Sequence, residues 1–302
     1  MAGMRDDIAR LIAAHGPVLS QDMVAATMSA YAPLHEAEPY RDVALTRDVP
    51  YGKHERHRLD VFAPPGTASK PRPVVLFVHG GGFVGGDKRL GAGPYYDNAG
   101  LWAVRSGFVG ITIAYRLAPA AAYPAAAADV GAAVRWALAN VAAFGGDPAG
   151  IVLLGQSAGA THVATYAALT AVHARPGGGI RGAIMLSGIY DFAAFGGLAN
   201  ADAYSGDDPA ARERASALPA LALTGIPLLF TVAEYDPPAF HDQAGLLANA
   251  LEARHGEPAP LVRLPRHNHV SPVAELNAAD DGDGLVHAVL TEFVRARTVH
   301  HR

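Results

Sequence analysis

Residues 151–160 read Ile-Val-Leu-Leu-Gly-Gln-Ser-Ala-Gly-Ala. The opening apolar run suits a strand buried on both faces, and the Ala-rich stretch that follows, through Val163 to Ala168, suits a helix. Between them Gly155-Gln156-Ser157-Ala158-Gly159 must make a sharp strand-to-helix turn. A serine on such a turn takes strained backbone angles, and small residues two positions to either side let neighbouring chains come close. The helix starting there aims unpaired backbone N–H groups at the serine and favours developing negative charge. Ser157 is therefore expected to be a nucleophile.

The flanking sequence repeats the same unit. Residues 74–78 (VVLFV) form an apolar strand that runs into His79-Gly80-Gly81-Gly82-Phe83. Glycines expose their N–H groups, so Gly81 and Gly82, with Ala158 behind the nucleophile, are candidate donors to an oxyanion. No Lys or Ser/Thr follows at the spacing of a phosphate-binding loop. His79 stands at the root of the loop, where it is expected to hold the loop rather than act as a base.

GFVGITIAYRLAP (107–119) gives another strand and residues 123–146 an Ala-rich helix ending at a Gly pair. The Asp147-Pro148 turn leads into the nucleophile strand. RGAIMLSGIYD, IPLLFTVAEYD and LVRLP read as later strands, with helices over residues 239–256 and 284–297. Strands alternating with helices predict a mostly parallel sheet flanked on both sides. Residues 1–40 read as helical, followed by two strand-like runs, DVALTRDVPYG and HRLDVFAPP. Residues 192–225 break the rhythm. With residues 1–40 they are expected to form a small helical lid on a single domain spanning 1–302.

Composition excludes several classes. Of 302 residues 50% are hydrophobic and 17% charged, with 24 Lys plus Arg against 28 Asp plus Glu. A chain near balance with no basic run gives no reason to expect nucleic acid. It contains no cysteine, which removes disulfides, thiolate metal sites and a Cys nucleophile. The N-terminus lacks the features of a signal peptide, and no apolar run reaches membrane-spanning length. A soluble, cytoplasmic protein is the expectation.

Four motifs in order, HGGGF, Tyr115-Arg116-Leu117-Ala118-Pro119, Gly145-Gly146-Asp147-Pro148 and GQSAG, resemble the hormone-sensitive-lipase-like carboxylesterases over residues 70 to 300. The short lid also resembles compact relatives such as feruloyl-esterase-like and kynurenine-formamidase-like enzymes. The resemblance implies an α/β-hydrolase fold with nucleophile, acid and base in that chain order. It implies hydrolysis of small carboxylic esters through an acyl-enzyme, with no metal or organic cofactor. It leaves open an arylformamidase-type amide hydrolase, a non-catalytic small-molecule-binding protein on the same fold, and a homodimer.

After Ser157, two histidines follow the last strand, His267 and His269. The family pattern, with the imidazole just before an apolar residue, selects His269. A metal site built on the pair lacks a third ligand nearby in sequence. For the acid, Asp236, followed by Pro237, resembles the family's acid motif, with Glu234 as the fallback. Asp242 reads as a helix N-terminal charge, and Asp191 as a cap or lid anchor. Arg116 and Asp129 suggest a structural ion pair. Phe83, Tyr190, Tyr235 and Phe240 are candidate pocket or core residues, and Asp87-Lys88 a solvated turn or a contact to a polar substrate. His162 and His173 precede any acid, His287 falls in the last helix, and His300 and His301 in the tail.

Overall fold

The protein is described as a computed structural model for residues 2–66, 70–91, 93–196, 199–279 and 284–298, so His300 and His301 lie outside the described residues. Two helices lead in, α1 (Ala2–His15) and α2 (Gln21–Tyr31). Ser20 caps α2 by accepting from the Met23 N–H at 3.1 Å. Then come β1 (Ala44–Pro50), β2 (Arg58–Ala63), β3 (Arg72–Val78), α3 (Asp97–Arg105) and β4 (Val109–Ile113). The nucleophile region follows as α4 (Ala125–Asn140), β5 (Gly146–Gln156), α5 (Ala158–Ala168) and β6 (Gly182–Leu186). Three short helices occupy the interrupted stretch: α6 (Ala199–Ser205), α7 (Pro209–Ala215) and α8 (Leu218–Leu221). The chain closes with β7 (Leu228–Tyr235), α9 (Pro238–His255), β8 (Leu261–Asn268), α10 (Ser271–Ala274) and α11 (Leu285–Thr298).

The strands form one eight-stranded sheet in the order β1-β2-β4-β3-β5-β6-β7-β8. β1, β2 and β4 pair antiparallel, and every pairing from β4 through β3 to β8 is parallel. Leu76 of β3 lies between Ile111 of β4 and Leu153 of β5 in register. Because side chains alternate along a strand, β3 feeds two cores. Val74, Leu76 and Val78 pack with Val130 and Val134 of α4, Val163 of α5 and Leu247 of α9. Val75 and Phe77 pack with Trp102 of α3, Leu290 and Val294 of α11 and Ile8 and Ile12 of α1. The mostly parallel sheet expected from the sequence is therefore present, covered on both faces. Among the described residues no helix is long and apolar enough to cross a membrane.

Three local readings change. The Asp147-Pro148 turn lies inside β5 rather than before it: the register with β3 shifts between Arg72 and Val74, and Asp147 Oδ1 accepts from Ala149 N–H at 2.8 Å. The helix α3 has no signal of its own in the sequence analysis, because its first turn carries Asp97 and Asn98, both fully buried. Lys88 is neither a solvated turn nor free for substrate. Its Nζ lies 3.1 Å from Asp60 and 2.8 Å from Asp48, and the residue is buried.

Those charges belong to one network around β1 and α3. Arg47 bridges Asp60 at 2.8 Å, Asp97 at 2.5 Å and Glu38 at 2.9 Å, while Tyr40 donates to Asp97 at 2.6 Å. Asp60 and Asp97 are wholly buried, so these donors stand in for the water their oxygens have lost. Arg116 and Asp129 form the expected ion pair at 2.7 Å. Asp191 is the expected anchor: its Oδ1 accepts from Ala193 N–H at 2.9 Å, Ala194 N–H at 3.1 Å and Ser216 Oγ–H at 3.0 Å. Gln243 Nε2 donates to Asp191 O at 3.0 Å, and Leu218 N–H donates to Tyr190 O at 2.8 Å. Both ends of the 192–217 excursion are thus tied to one place.

Removing the central cation leaves two buried carboxylates short of donors. Arg47→Met should lower the unfolding free energy by about 3 kcal/mol, read from a urea midpoint, with Lys88 and Arg89 supplying only partial replacement. An unchanged midpoint would show that the network does not depend on Arg47.

Candidate active site

The sharp turn after β5 places Ser157 at φ 55°, ψ −120°, a strained conformation for a residue with a Cβ. Its N–H donates to Leu186 O of β6 at 2.8 Å. A Cβ on Gly155 would strike the Gly159 carbonyl, and one on Gly159 would strike the Val78 carbonyl of β3. Both glycines are therefore required for α5 to start against the neighbouring strand, as their spacing around the serine predicts.

His269 follows β8 and Asp236 follows β7, so both reach the same carboxyl end of the sheet. His269 Nε2 is 2.8 Å from Ser157 Oγ, and His269 Nδ1 is 2.6 Å from Asp236 Oδ1. Asp236 is wholly buried, and its Oδ2 accepts from Ser187 Oγ–H at 2.6 Å and Ala233 N–H at 2.7 Å. A carboxylate so supplied with donors accepts from His269, which puts the imidazole proton on Nδ1. Nε2 then faces the serine hydroxyl as an acceptor. The arrangement can take a proton from Ser157 and stabilise the imidazolium that results.

The competitors lie elsewhere. His267 Nδ1 pairs with Ser271 Oγ at 2.9 Å and its Nε2 with Glu275 at 3.2 Å. Glu234 is exposed and accepts from Arg266 N–H at 2.6 Å. The two histidines have different partners. Asp242 is exposed on α9.

Gly81 and Gly82 have φ 134° and 59°, values that favour glycine. Among the described residues the N–H groups of Gly81, Gly82 and Ala158 have no acceptor. They remain available to an incoming oxygen. His79 holds the loop root as expected: its Nδ1 donates to Gly80 O at 2.6 Å, and its carbonyl accepts from Tyr115 OH at 2.8 Å. Phe83 stacks on Tyr204 of α6 with centroids 4.7 Å apart, and Phe240 lies 4.4 Å from the His269 ring. Tyr190 is core, against Phe230, and Tyr235 packs against the other core beside α1.

Two groups escape the sequence reading. Gln156, next to the nucleophile and buried, donates from Nε2 to His269 O at 3.0 Å. Ser187 orients the far oxygen of Asp236. Their only signal is position, one residue before the nucleophile and one residue after a parallel strand.

Residues 59–193 match the BD-FAE family. The chain is 32% identical over 179 residues to the probable carboxylic ester hydrolase LipM of Mycobacterium tuberculosis, a match covering 55% of this chain and 39% of that protein. It spans less than two fifths of the length of the curated relatives it matches. Among solved structures, esterase B of Lactobacillus rhamnosis superposes with a TM-score of 0.72 at 17% identity, covering 98% of this chain and 97% of that one. An esterase from the bacterial hormone-sensitive lipase family gives 0.69 at 24%, covering 98% and 99%. The protein has the α/β-hydrolase fold. Of these matches, the structure at 24% identity is of the hormone-sensitive lipase family that the four motifs resemble.

Behind the glycine loop, His79 and His162 are fully buried, and desolvation pushes each imidazole down from 6.5 to about 3. Neither ring nitrogen of His162 has a hydrogen-bond partner among the described residues. Between these values the unfolded chain binds protons that the native protein does not. Stability therefore falls with acidification there, with each imidazole contributing. His162→Leu should show a shallower loss of unfolding free energy than wild type between about pH 6 and 4. Parallel pH profiles from urea titrations would contradict this.

Proposed function

We propose that the protein is a serine carboxylesterase acting on small carboxylic esters through an acyl-enzyme. The single observation that carries the reading is the continuous hydrogen-bonded series Ser157–His269–Asp236, at 2.8 and 2.6 Å. Ser157 is the nucleophile, His269 the base and Asp236 the acid that orients it. The Gly81, Gly82 and Ala158 N–H groups form the oxyanion hole.

Ser157 Oγ attacks the ester carbonyl carbon as its proton passes to His269 Nε2, and the carbonyl oxygen gains negative charge against the three N–H donors. Collapse breaks the bond to the alkoxy oxygen, which leaves as the alcohol with the proton from His269. Water then attacks the acyl-serine, gives its proton to His269, and the acid departs as the serine proton returns. Asp236 holds the tautomer and offsets the imidazolium charge throughout. Relatives named as ester hydrolases support ester over formamide cleavage.

The helices α6 and α7, with Leu19 ahead of α2, serve as a small lid on this one-domain chain, while Ile8 and Ile12 of α1 and Leu221 of α8 pack in the cores on the sheet. What supports this is a shared apolar cluster in which Phe83 and Ala158 meet Phe192, Phe195, Ala201 and Tyr204, with Leu19 packed against it. A Cβ on Gly82 would also lie 3.4 Å from Asn200 Nδ2 on α6.

Short p-nitrophenyl esters should be hydrolysed, and a fluorophosphonate should label the wild type but not Ser157→Ala. Wild-type protein that does neither would end the esterase reading. For the partners, His269→Ala should lower kcat by about 10³-fold or more, and His267→Ala far less. Asp236→Asn should likewise exceed Glu234→Gln by orders of magnitude. Equal losses within either pair would undo the assignment.

A further inference from the structure

The loop bearing His269 is held from the sheet by Gln156, and from the opposite side by a helix that contributes nothing to the reaction series. Asn268, immediately before His269, is wholly buried. Its Oδ1 accepts from Val270 N–H at 3.2 Å and Ser271 N–H at 3.1 Å, folding the chain around His269. Those two donors fix which end of the amide is oxygen, so Nδ2 points away from the loop. It donates to Thr27 Oγ1 of α2 at 2.8 Å, across 241 residues of sequence. Thr27 gives its own proton to Met23 O at 2.8 Å, which leaves its oxygen free to accept. Thr27 is also wholly buried, so no water can take its place without displacing packed atoms.

We propose that Thr27 is a positioning residue for His269: through the Thr27–Asn268 hydrogen bond, α2 fixes the backbone from which the imidazole reaches Ser157. The proposal rests on the esterase reading above. Without the hydroxyl, the Asn268 donor is stranded, and the amide can recover a partner only by turning. Turning breaks the two bonds that shape the loop, and His269 moves with them. Proton transfer depends steeply on this placement, since about 1 Å of misplacement is worth about 10²-fold in rate. The other ties from the N-terminal segment differ in kind. His35 Nε2 bonds Ala274 O at 2.8 Å, Ala279 N–H donates to Leu34 O at 2.7 Å, Arg5 pairs with Glu275 at 3.3 Å, and Arg266, before the loop, pairs with Asp6 at 2.9 Å. None of them is made to Asn268, whose Nδ2 donates to Thr27.

The test compares wild type, Thr27→Val, Thr27→Ser and Ser20→Ala by p-nitrophenyl ester kinetics, fluorophosphonate labelling rate and Tm. Thr27→Val keeps the shape and removes the acceptor. It should lower kcat about tenfold with KM within about twofold, and slow labelling by the same factor. Thr27→Ser should return kcat to within about twofold of wild type. Ser20→Ala removes the α2 cap without touching Asn268, and should lower Tm while leaving kcat unchanged. Thr27→Val with wild-type kcat and only a lower Tm overturns the proposal. So does a Ser20→Ala variant whose kcat falls as far as that of Thr27→Val. A wild type that neither hydrolyses nor labels overturns the esterase reading itself, an outcome distinct from both.

Discussion

The backbone of Ser157 is the constraint on which the rest depends. A residue with a Cβ at φ 55°, ψ −120° persists only where its surroundings leave it no alternative. The strand before it is paired on both sides, with β3 and with β6, and its own N–H is taken by Leu186. The helix after it starts so close to β3 that Gly159 must lack a side chain. Strain at one residue is thus borne by three strands and a helix, and the hydroxyl stands clear of all of them.

Two groups of buried polar residues obey different physics. Around Arg47 they are full charges at the antiparallel margin of the sheet, paired with one another and remote from Ser157 in the fold. At the carboxyl ends of the parallel strands, uncharged donors from Ser187, Gln156 and the backbone surround one carboxylate and one imidazole. The first arrangement keeps two elements in register. The second sets proton positions, and each donor there has a single acceptor to serve.

Much of this was legible in the chain. The apolar runs at 74–78, 109–113 and 151–154 declared themselves as central strands because both faces of each are covered. Ser157, Asp236 and His269 could be ordered because each follows a strand. Choosing His269 over His267 required the family pattern, since only tertiary structure supplies Ser271 and Glu275 as the partners of His267. Polar residues with distant partners were illegible for the same reason. Asp97 and Asn98 hid α3 by looking exposed, Lys88 looked like a turn, and nothing local links Thr27 to Asn268.

The anchoring around Asp191 has a further consequence. Ser216 and Leu218 return to the chain at Asp191 and Tyr190, so the intervening excursion enters and leaves the sheet at a single point. A segment whose ends are already together incurs little closure entropy when its length changes, about 0.6 kcal/mol for each doubling. That stretch can change in length without disturbing strand order, while its Phe192 and Tyr204 pack against Phe83 and Ala158. The order of the strands is thus indifferent to how much chain lies between β6 and β7.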